Sequence, residues 1–492
     1  MATLKLSSKD LVPCLLCFDA PCSKACPHKK DPAKLLRSLR FVNYGGAISR
    51  IDEACVNCDG ECESGCLLDE PPKIKRILSA CADAKEKMQL SLQKADISAE
   101  MCGIKLENPF LLSSSVVAST YEMIKRAFEA GWAGAAYKTI SYIDIHEASP
   151  RFSALKNIDG SFLAFKNIEQ LSDHSPSENF AIIRKLKDEF PTKVILASIM
   201  GRNDEEWREL AILAEESGAD AVELNFSCPN MTEEDTGSDV GQIPHLVERF
   251  TRVVKEAVHI PVLAKLTPNV LAMSPAAEAA KRGGADGLAA INTIKSITDL
   301  NILHALNRDI ADAKVTVGGL SGQSVKPIAL RFIAELSRNP KLKGMHISAM
   351  GGVYNREDVM AYVSLGAGSI QVTTAVMEYG YRIIEDLTEG LAYFLSYHGF
   401  SSFSDFKGTM LNKVVDVAQI ERDRVIYPRF DRTRCVGCGR CYISCMDGGH
   451  QAIDFKNRQP LLNPKKCVGC HLCVLVCPND AIQSSEVSVV KK

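Results

Sequence analysis

Between residues 97 and 400 the chain repeats one pattern. Short runs of uninterrupted apolar residues alternate with longer stretches in which apolar residues recur every three or four positions. The runs are Asn108–Ser115, Ala133–Ile140, Lys193–Met200, Ala221–Ser227, Pro261–Leu266, Gly287–Thr293, Met345–Gly351 and Ser369–Thr374. The intervening stretches, such as Asp204–Ser217, Pro244–Val258 and Pro327–Ser337, have helical spacing. Strands that are apolar throughout are buried on both faces, and helices between them mean a parallel sheet. Eight such units in about 300 residues predict a (β/α)8 TIM barrel, with its chemistry at the carboxyl ends of the strands.

Polar residues fall at those ends. Lys138 and Thr139 close the second predicted strand, Asn225 and Cys228 the fourth, Lys265 the fifth, and Asn292 with Thr293 the sixth. The central stretch is Glu223-Leu-Asn-Phe-Ser-Cys-Pro-Asn230. Cys228 precedes a proline, which pushes it into extended backbone. A thiol fixed there beside Asn225 and Ser227 can give a proton to a substrate carbon. By itself it reads more readily as a small buried hydrophobe. Glycine-rich turns are expected later in the barrel, at Gly318–Gly322, Met350–Gly352 and Gln371–Thr374. Backbone amides freed there form the usual barrel phosphate site. No Gly-x-Gly-x-x-Gly lies between a predicted strand and helix, so no nicotinamide fold is expected.

Cysteine use changes the picture at both ends. Sixteen of the 19 cysteines fall in two groups. Near the carboxyl end, Cys435, Cys438, Cys441 and Cys445 are followed by Cys467, Cys470, Cys473 and Cys477-Pro478. This is the bacterial two-cluster ferredoxin spacing, in which the fourth cysteine of each run ligates the other cluster. Cys435, Cys438, Cys441 and Cys477 are therefore assigned to one [4Fe-4S] cluster, and Cys467, Cys470, Cys473 and Cys445 to the second. Near the amino end, Cys14, Cys17, Cys22 and Cys26 precede Cys55, Cys58, Cys62 and Cys66. Eight thiolates at such short spacings suffice for two more clusters. Zinc prefers isolated Cys-x2-4-Cys pairs. The expected domains are a helical iron–sulfur domain over 1–95, a barrel over 96–424 and a ferredoxin domain over 425–492.

Bulk composition adds exclusions. The chain has 492 residues, net charge -2, 46% apolar and 24% charged residues. Those values suit a globular protein of about three domains with no nucleic-acid surface. The start has no apolar signal core, and no run reaches membrane-spanning length, so a cytoplasmic location with no membrane contact is expected.

Two sets of residues carry a resemblance to one family. Cys14-Leu-Leu-Cys-Phe-Asp-Ala-Pro-Cys-Ser-Lys-Ala-Cys-Pro27, with Asn43-Tyr-Gly-Gly-Ala47, resembles the helical cluster domain of dihydropyrimidine dehydrogenase and of the glutamate synthase small subunit. Asn225-Phe-Ser-Cys-Pro229, Ala264-Lys-Leu-Thr-Pro-Asn269, Ile291-Asn-Thr293 and Ser149-Pro-Arg151 resemble the flavin barrel of dihydropyrimidine dehydrogenase, whose wider family includes dihydroorotate dehydrogenases. The resemblance implies FMN held by Ser114, Lys138, Thr139, Lys265, Gly322, Met350, Gly351, Gly352, Thr373 and Thr374. It implies a pyrimidine base held by Asn167, Glu169, Asn225, Ser227, Asn292 and Thr293, with Cys228 as proton donor.

At the amino end the resemblance implies Cys14, Cys17, Cys22 and Cys66 around one cluster, and Cys26, Cys58 and Cys62 on three irons of the second. The family completes that second cluster with a glutamine. The matching position here is Leu78, which cannot ligate, and Cys55 or Cys81 is left to supply the ligand. The implied protein is a catalytic subunit reducing the 5,6 double bond of uracil or thymine. It would form a dimer or hetero-oligomer, taking electrons from an FAD- and NAD(P)H-dependent oxidoreductase subunit or a ferredoxin. The FAD and nicotinamide domains of the eukaryotic enzyme have no counterpart between the first cysteines and the barrel. Dihydroorotate oxidation, reduction of another alkene and a non-catalytic electron-transfer role are the alternatives.

Overall fold

The fold is that of a computed structural model describing residues 13–51, 53–88, 93–158, 160–229, 231, 237–298 and 315–490. Asn230 and residues 232–236, in the loop that follows the central octapeptide, lie outside them. Two compact units result, Met1–Asn412 and Lys413–Lys492.

The first unit is built on a closed barrel of eight parallel strands: β1 (Phe110–Leu112), β2 (Gly134–Ala136), β3 (Val194–Ile199), β4 (Ala221–Asn225), β5 (Val262–Lys265), β6 (Gly287–Ala290), β7 (His346–Met350) and β8 (Ser369–Val372). Each pairs with its neighbours in sequence, and β8 closes on β1. All eight predicted runs contain their strand. Side chains on both faces are buried, as in the six buried residues of β3, which is why the runs lack alternation.

Helices follow the strands and start at sequence-encoded caps. Asn203 accepts from the Glu206 amide at 3.0 Å and opens Asp204–Glu216. Ser175 and Asn355 form capping boxes with Glu178 and Asp358. Such caps satisfy amide groups that the first turn leaves orphaned. Trp132, Trp207, Tyr137 and Phe226 are fully buried between strands and helices.

A four-stranded antiparallel sheet was not legible in the sequence. It orders Ile294–Ser296, Gly318–Ser321, Phe162–Asn167 and Phe152–Lys156. The Gly318–Gly322 stretch, expected as a glycine-rich turn, is thus mostly strand. Its glycines serve close approach: a Cβ at Gly318 would lie 2.6 Å from the Asn167 carbonyl, and one at Gly319 would strike Thr293 Oγ1.

Residues before the barrel form short helices around Leu35, Leu36, Leu39, Ile48, Ile74 and Ile77. They dock on the last barrel helix, Ile383–Tyr397. Asp386, fully buried, accepts from Arg37 Nε and from Ser38 Oγ, each at 2.6 Å, and Arg50 pairs with Glu389 at 2.7 Å. Gly45 packs so close that a Cβ would sit 2.5 Å from Tyr393 Cγ. That contact explains Gly45, the first glycine of Asn43-Tyr-Gly-Gly-Ala47, and the Asn43 side chain leaves no room for a Cβ at Gly46.

The second unit contains two antiparallel ribbons, Arg424–Phe430 with Ile482–Val490 and Ile453–Lys456 with Gln459–Leu462. Helices Arg440–Gly448 and Leu472–Leu475 carry cysteines of the two runs. No helix among the described residues is long and apolar enough to cross a membrane.

Candidate active site

The carboxyl ends of the barrel strands open into one cavity. It encloses about 1040 Å³ of non-atom space, counting its open mouth. Strand direction and barrel closure deliver its walls from residues far apart in sequence. Cys228, Asn225, Asn167, Glu169, Asn292 and Thr293 line it. So do Ser114, Lys138, Thr139, Lys265, Met350, Gly351, Gly352, Thr373 and Thr374. Two expected residues stand outside the lining. Ser227 is fully buried behind Asn225 and Asn292. Gly322 follows the strand residue Ser321, with φ 90°.

The polar wall is a connected network. Asn225 Nδ2 donates to Thr139 Oγ1 at 2.9 Å, and its Oδ1 accepts from Ser227 Oγ at 2.9 Å. Ser227 Oγ in turn accepts from Asn292 Nδ2 at 2.8 Å. These bonds orient both amides, because each nitrogen faces an oxygen acceptor. Cys228 is 6% exposed at the cavity edge, and its carbonyl accepts from the Ser238 amide at 2.9 Å.

Both lining lysines are paired. Lys265 meets the fully buried Glu223 at 3.1 Å, and Glu223 also accepts from Gln371 Nε2 at 2.9 Å. Lys138 meets Glu169 at 2.9 Å, and Glu169 also pairs with Arg151 at 2.8 Å. Buried charges require such partners. Beyond β7, Gly351 and Gly352 have φ 120° and 70°, a region that side chains rarely adopt. A Cβ at Gly352 would also lie 2.8 Å from the Gly322 carbonyl. The hydroxyls of Thr373 and Thr374 face Ser115 and Ser321 at 3.1 and 2.9 Å. Bare backbone, hydroxyls and paired lysines in one large cavity fit a flavin nucleotide: backbone and hydroxyls for its phosphate, ammonium groups for its ring.

Cysteines form further cavities within each unit. Cys435, Cys438, Cys441 and Cys477 line one, and Cys445, Cys467, Cys470 and Cys473 line another. These are the two crossed sets read from the sequence. Amide groups of Ala452, Gly469 and Ala481 donate to the sulfurs of Cys445, Cys467 and Cys477 at 3.3, 3.4 and 3.2 Å. Such bonds favour electron-rich thiolate sulfur. In the first unit, Cys17 and Cys66 lie close enough to Cys14 to help push its thiol pKa up, although burial is the larger cause. Cys22 is raised by burial first and by Cys14 next.

Known proteins resemble the chain in sequence. The dihydroorotate dehydrogenase family matches residues 96–395, and a 4Fe-4S dicluster domain matches residues 429–484. The NAD-dependent dihydropyrimidine dehydrogenase subunit PreA of Escherichia coli K12 is 49% identical over 367 residues, covering 74% of this chain and 89% of that protein. The chain belongs to the family of dihydropyrimidine dehydrogenase subunits. It is an oxidoreductase acting on CH–CH bonds. The chloroplastic dihydropyrimidine dehydrogenase (NADP(+)) of Arabidopsis thaliana is 33% identical, covering 64% of this chain and 77% of its own. The catalytic subunit of dihydroorotate dehydrogenase B (NAD(+)) from Pyrococcus horikoshii is 35% identical, covering 65% and 99%.

For this family member, sequence reasoning gave no role to Glu223 or Gln371. Glu223 stood in plain view at the start of the central octapeptide, yet a carboxylate inside an apolar strand signals nothing until its partner is known. The available clue was the charge itself, since a buried glutamate requires a cation.

Proposed function

We propose that this chain is the catalytic subunit of a dihydropyrimidine dehydrogenase that reduces the 5,6 double bond of uracil or thymine. The observation that supports this most is the meeting of Asn167, Asn225 and Asn292 with Cys228 on one cavity wall. An amide offers donor and acceptor together, matching the alternating N–H and C=O edge of a pyrimidine ring. Cys228 Sγ, at the edge of the same wall, gives its proton to the ring carbon beside the one that receives hydride.

The residues that would hold FMN are Ser114, Lys138, Thr139, Lys265, Met350, Gly351, Gly352, Thr373 and Thr374, with Gly322 shaping the turn beside them. Bound there, FMN supplies the hydride. Cys14, Cys17, Cys22 and Cys66, and the two crossed carboxyl-terminal sets, would hold [4Fe-4S] clusters, which supply one-electron transfer.

Dihydroorotate chemistry is the second reading, favoured by the family matched over the barrel and by the Pyrococcus relative. Orotate carries a carboxylate; Lys265 is already neutralised by Glu223, whereas Lys138 and Arg151 share Glu169. Anaerobic turnover of uracil, thymine and orotate with a reduced low-potential dye decides between them. Uracil or thymine should be reduced and orotate left; turnover of orotate alone would reverse the assignment.

Electrons reach the chain from a partner. Hydride chemistry on a flavin needs a two-electron source, and NAD(P)H normally delivers it beside a nicotinamide fold, whose glycine fingerprint this sequence lacks. The E. coli relative is itself named a subunit. The purified chain is expected to be nearly inert with NADH or NADPH and active with reduced methyl viologen or ferredoxin. An FAD-containing nicotinamide oxidoreductase should restore NAD(P)H-linked turnover. Stopped-flow mixing with NADPH tests this: flavin bleaching at catalytic speed without a partner contradicts it.

A further inference from the structure

Inside the amino-terminal helical region, Cys26, Cys55, Cys58 and Cys62 line one cavity, with Leu78 and Arg50 in the same wall. Cys55 is carried there by the short helix Glu53–Asn57, and Cys58 Sγ lies 3.4 Å from the Cys55 carbonyl.

Cys81 is elsewhere. It sits on Ile74–Met88, fully buried in the cluster formed by Ile74, Ile77 and Leu78. Its thiol is pushed up to about 12 by burial alone, with no neighbouring thiol contributing. A cube needs a donor on each of its four irons, and the hydrocarbon of Leu78 has no lone pair to give.

We propose that Cys55 is the fourth thiolate of a second amino-terminal [4Fe-4S] cluster, with Cys26, Cys58 and Cys62, and that Cys81 is core filling. The proposal rests on the iron–sulfur reading of this region. It gives the cluster the same four-thiolate donor set as the ferredoxin sites. The oxidised cube with four thiolates carries about two negative charges; His28, Lys30 and Asp31 share the cavity wall, and the Arg50 guanidinium there is already paired with Glu389. Cys22 lies within the short helix Pro21–Lys24 and Cys26 two residues beyond its end, so the first and second sets are neighbours in the chain. The amino-terminal region then holds a complete two-cluster relay.

Iron, sulfide and FMN analysis of the full chain, purified anaerobically, tests this beside electron paramagnetic resonance. The parent chain should hold about sixteen irons, four per cube. Cys55→Ser should lose between one iron and one whole cluster, or show a changed resonance from oxygen ligation, with FMN content unchanged. Cys81→Ser should match the parent in both. An unaltered Cys55→Ser protein, or a Cys81→Ser protein that loses a cluster, overturns the assignment. If Cys55→Ser does not accumulate, Cys81→Ala decides: full iron supports Cys55, and a lost cluster refutes it. A parent chain with only about eight irons would overturn the amino-terminal cluster reading itself, a result distinct from a misplaced ligand.

Discussion

Cys228→Ala is expected to slow pyrimidine reduction by about two to four orders of magnitude, the usual share of a general acid, while FMN stays bound and is still bleached by dithionite. The thiol stands at the carboxyl end of β4, 6% exposed on the cavity wall that also carries Asn225 and Asn292. Alanine removes the thiol, while the backbone there stays held by the Ser238 amide on the Cys228 carbonyl at 2.9 Å. Cys228→Ser keeps an O–H of much higher pKa and should fall between the two. Single-turnover reduction of uracil by the pre-reduced protein separates this loss from any change in binding. Turnover within a few fold of the parent would remove Cys228 from the chemistry.

Glu223→Leu should cost about 3–5 kcal/mol of stability, the range for removing one member of a buried ion pair. Glu223 is fully buried, and its carboxylate is the partner of Lys265 at 3.1 Å and of Gln371 Nε2 at 2.9 Å. Leucine fills similar space but leaves an ammonium and an amide facing hydrocarbon. Both belong to the cavity lining, so flavin retention should fall with stability. Glu223→Gln keeps a hydrogen-bond acceptor and should be milder. Urea denaturation followed by circular dichroism measures the first effect, and FMN content after gel filtration measures the second. A Glu223→Leu protein as stable and as yellow as the parent would show that the pair does not hold Lys265.

How much of this was legible beforehand follows from the kind of signal each feature leaves. Strand runs such as Lys193–Met200 and Ala221–Ser227 declared themselves because a barrel strand is buried on both faces and tolerates few polar residues. The helices starting at Asp204 and Pro244 were readable from their spacing. The antiparallel sheet containing Phe152–Lys156 and Gly318–Ser321 was not. Its strands are short and half-exposed, and two of its members are separated by about 150 residues of chain that carry no trace of the pairing.

Sequence by itself determined the barrel, the dicluster ferredoxin pattern and the family. Those rest on local repetition: apolar runs of fixed length, helical spacing, and cysteines whose separations are set by the reach of one loop around one cluster. Tertiary structure alone decided which groups face each other. Only folding brings Glu223 of β4 against Lys265 of β5 and Gln371 of β8. Only folding places Ser227 behind the asparagines and not in the cavity wall. Spacing left Cys55 and Cys81 equal; folding buries both in one apolar cluster but puts only Cys55 in the lining of the cavity shared by Cys26, Cys58 and Cys62. A side chain's partner is a property of where the backbone carries it, and that position is fixed by packing over the whole domain, beyond any local stretch of sequence.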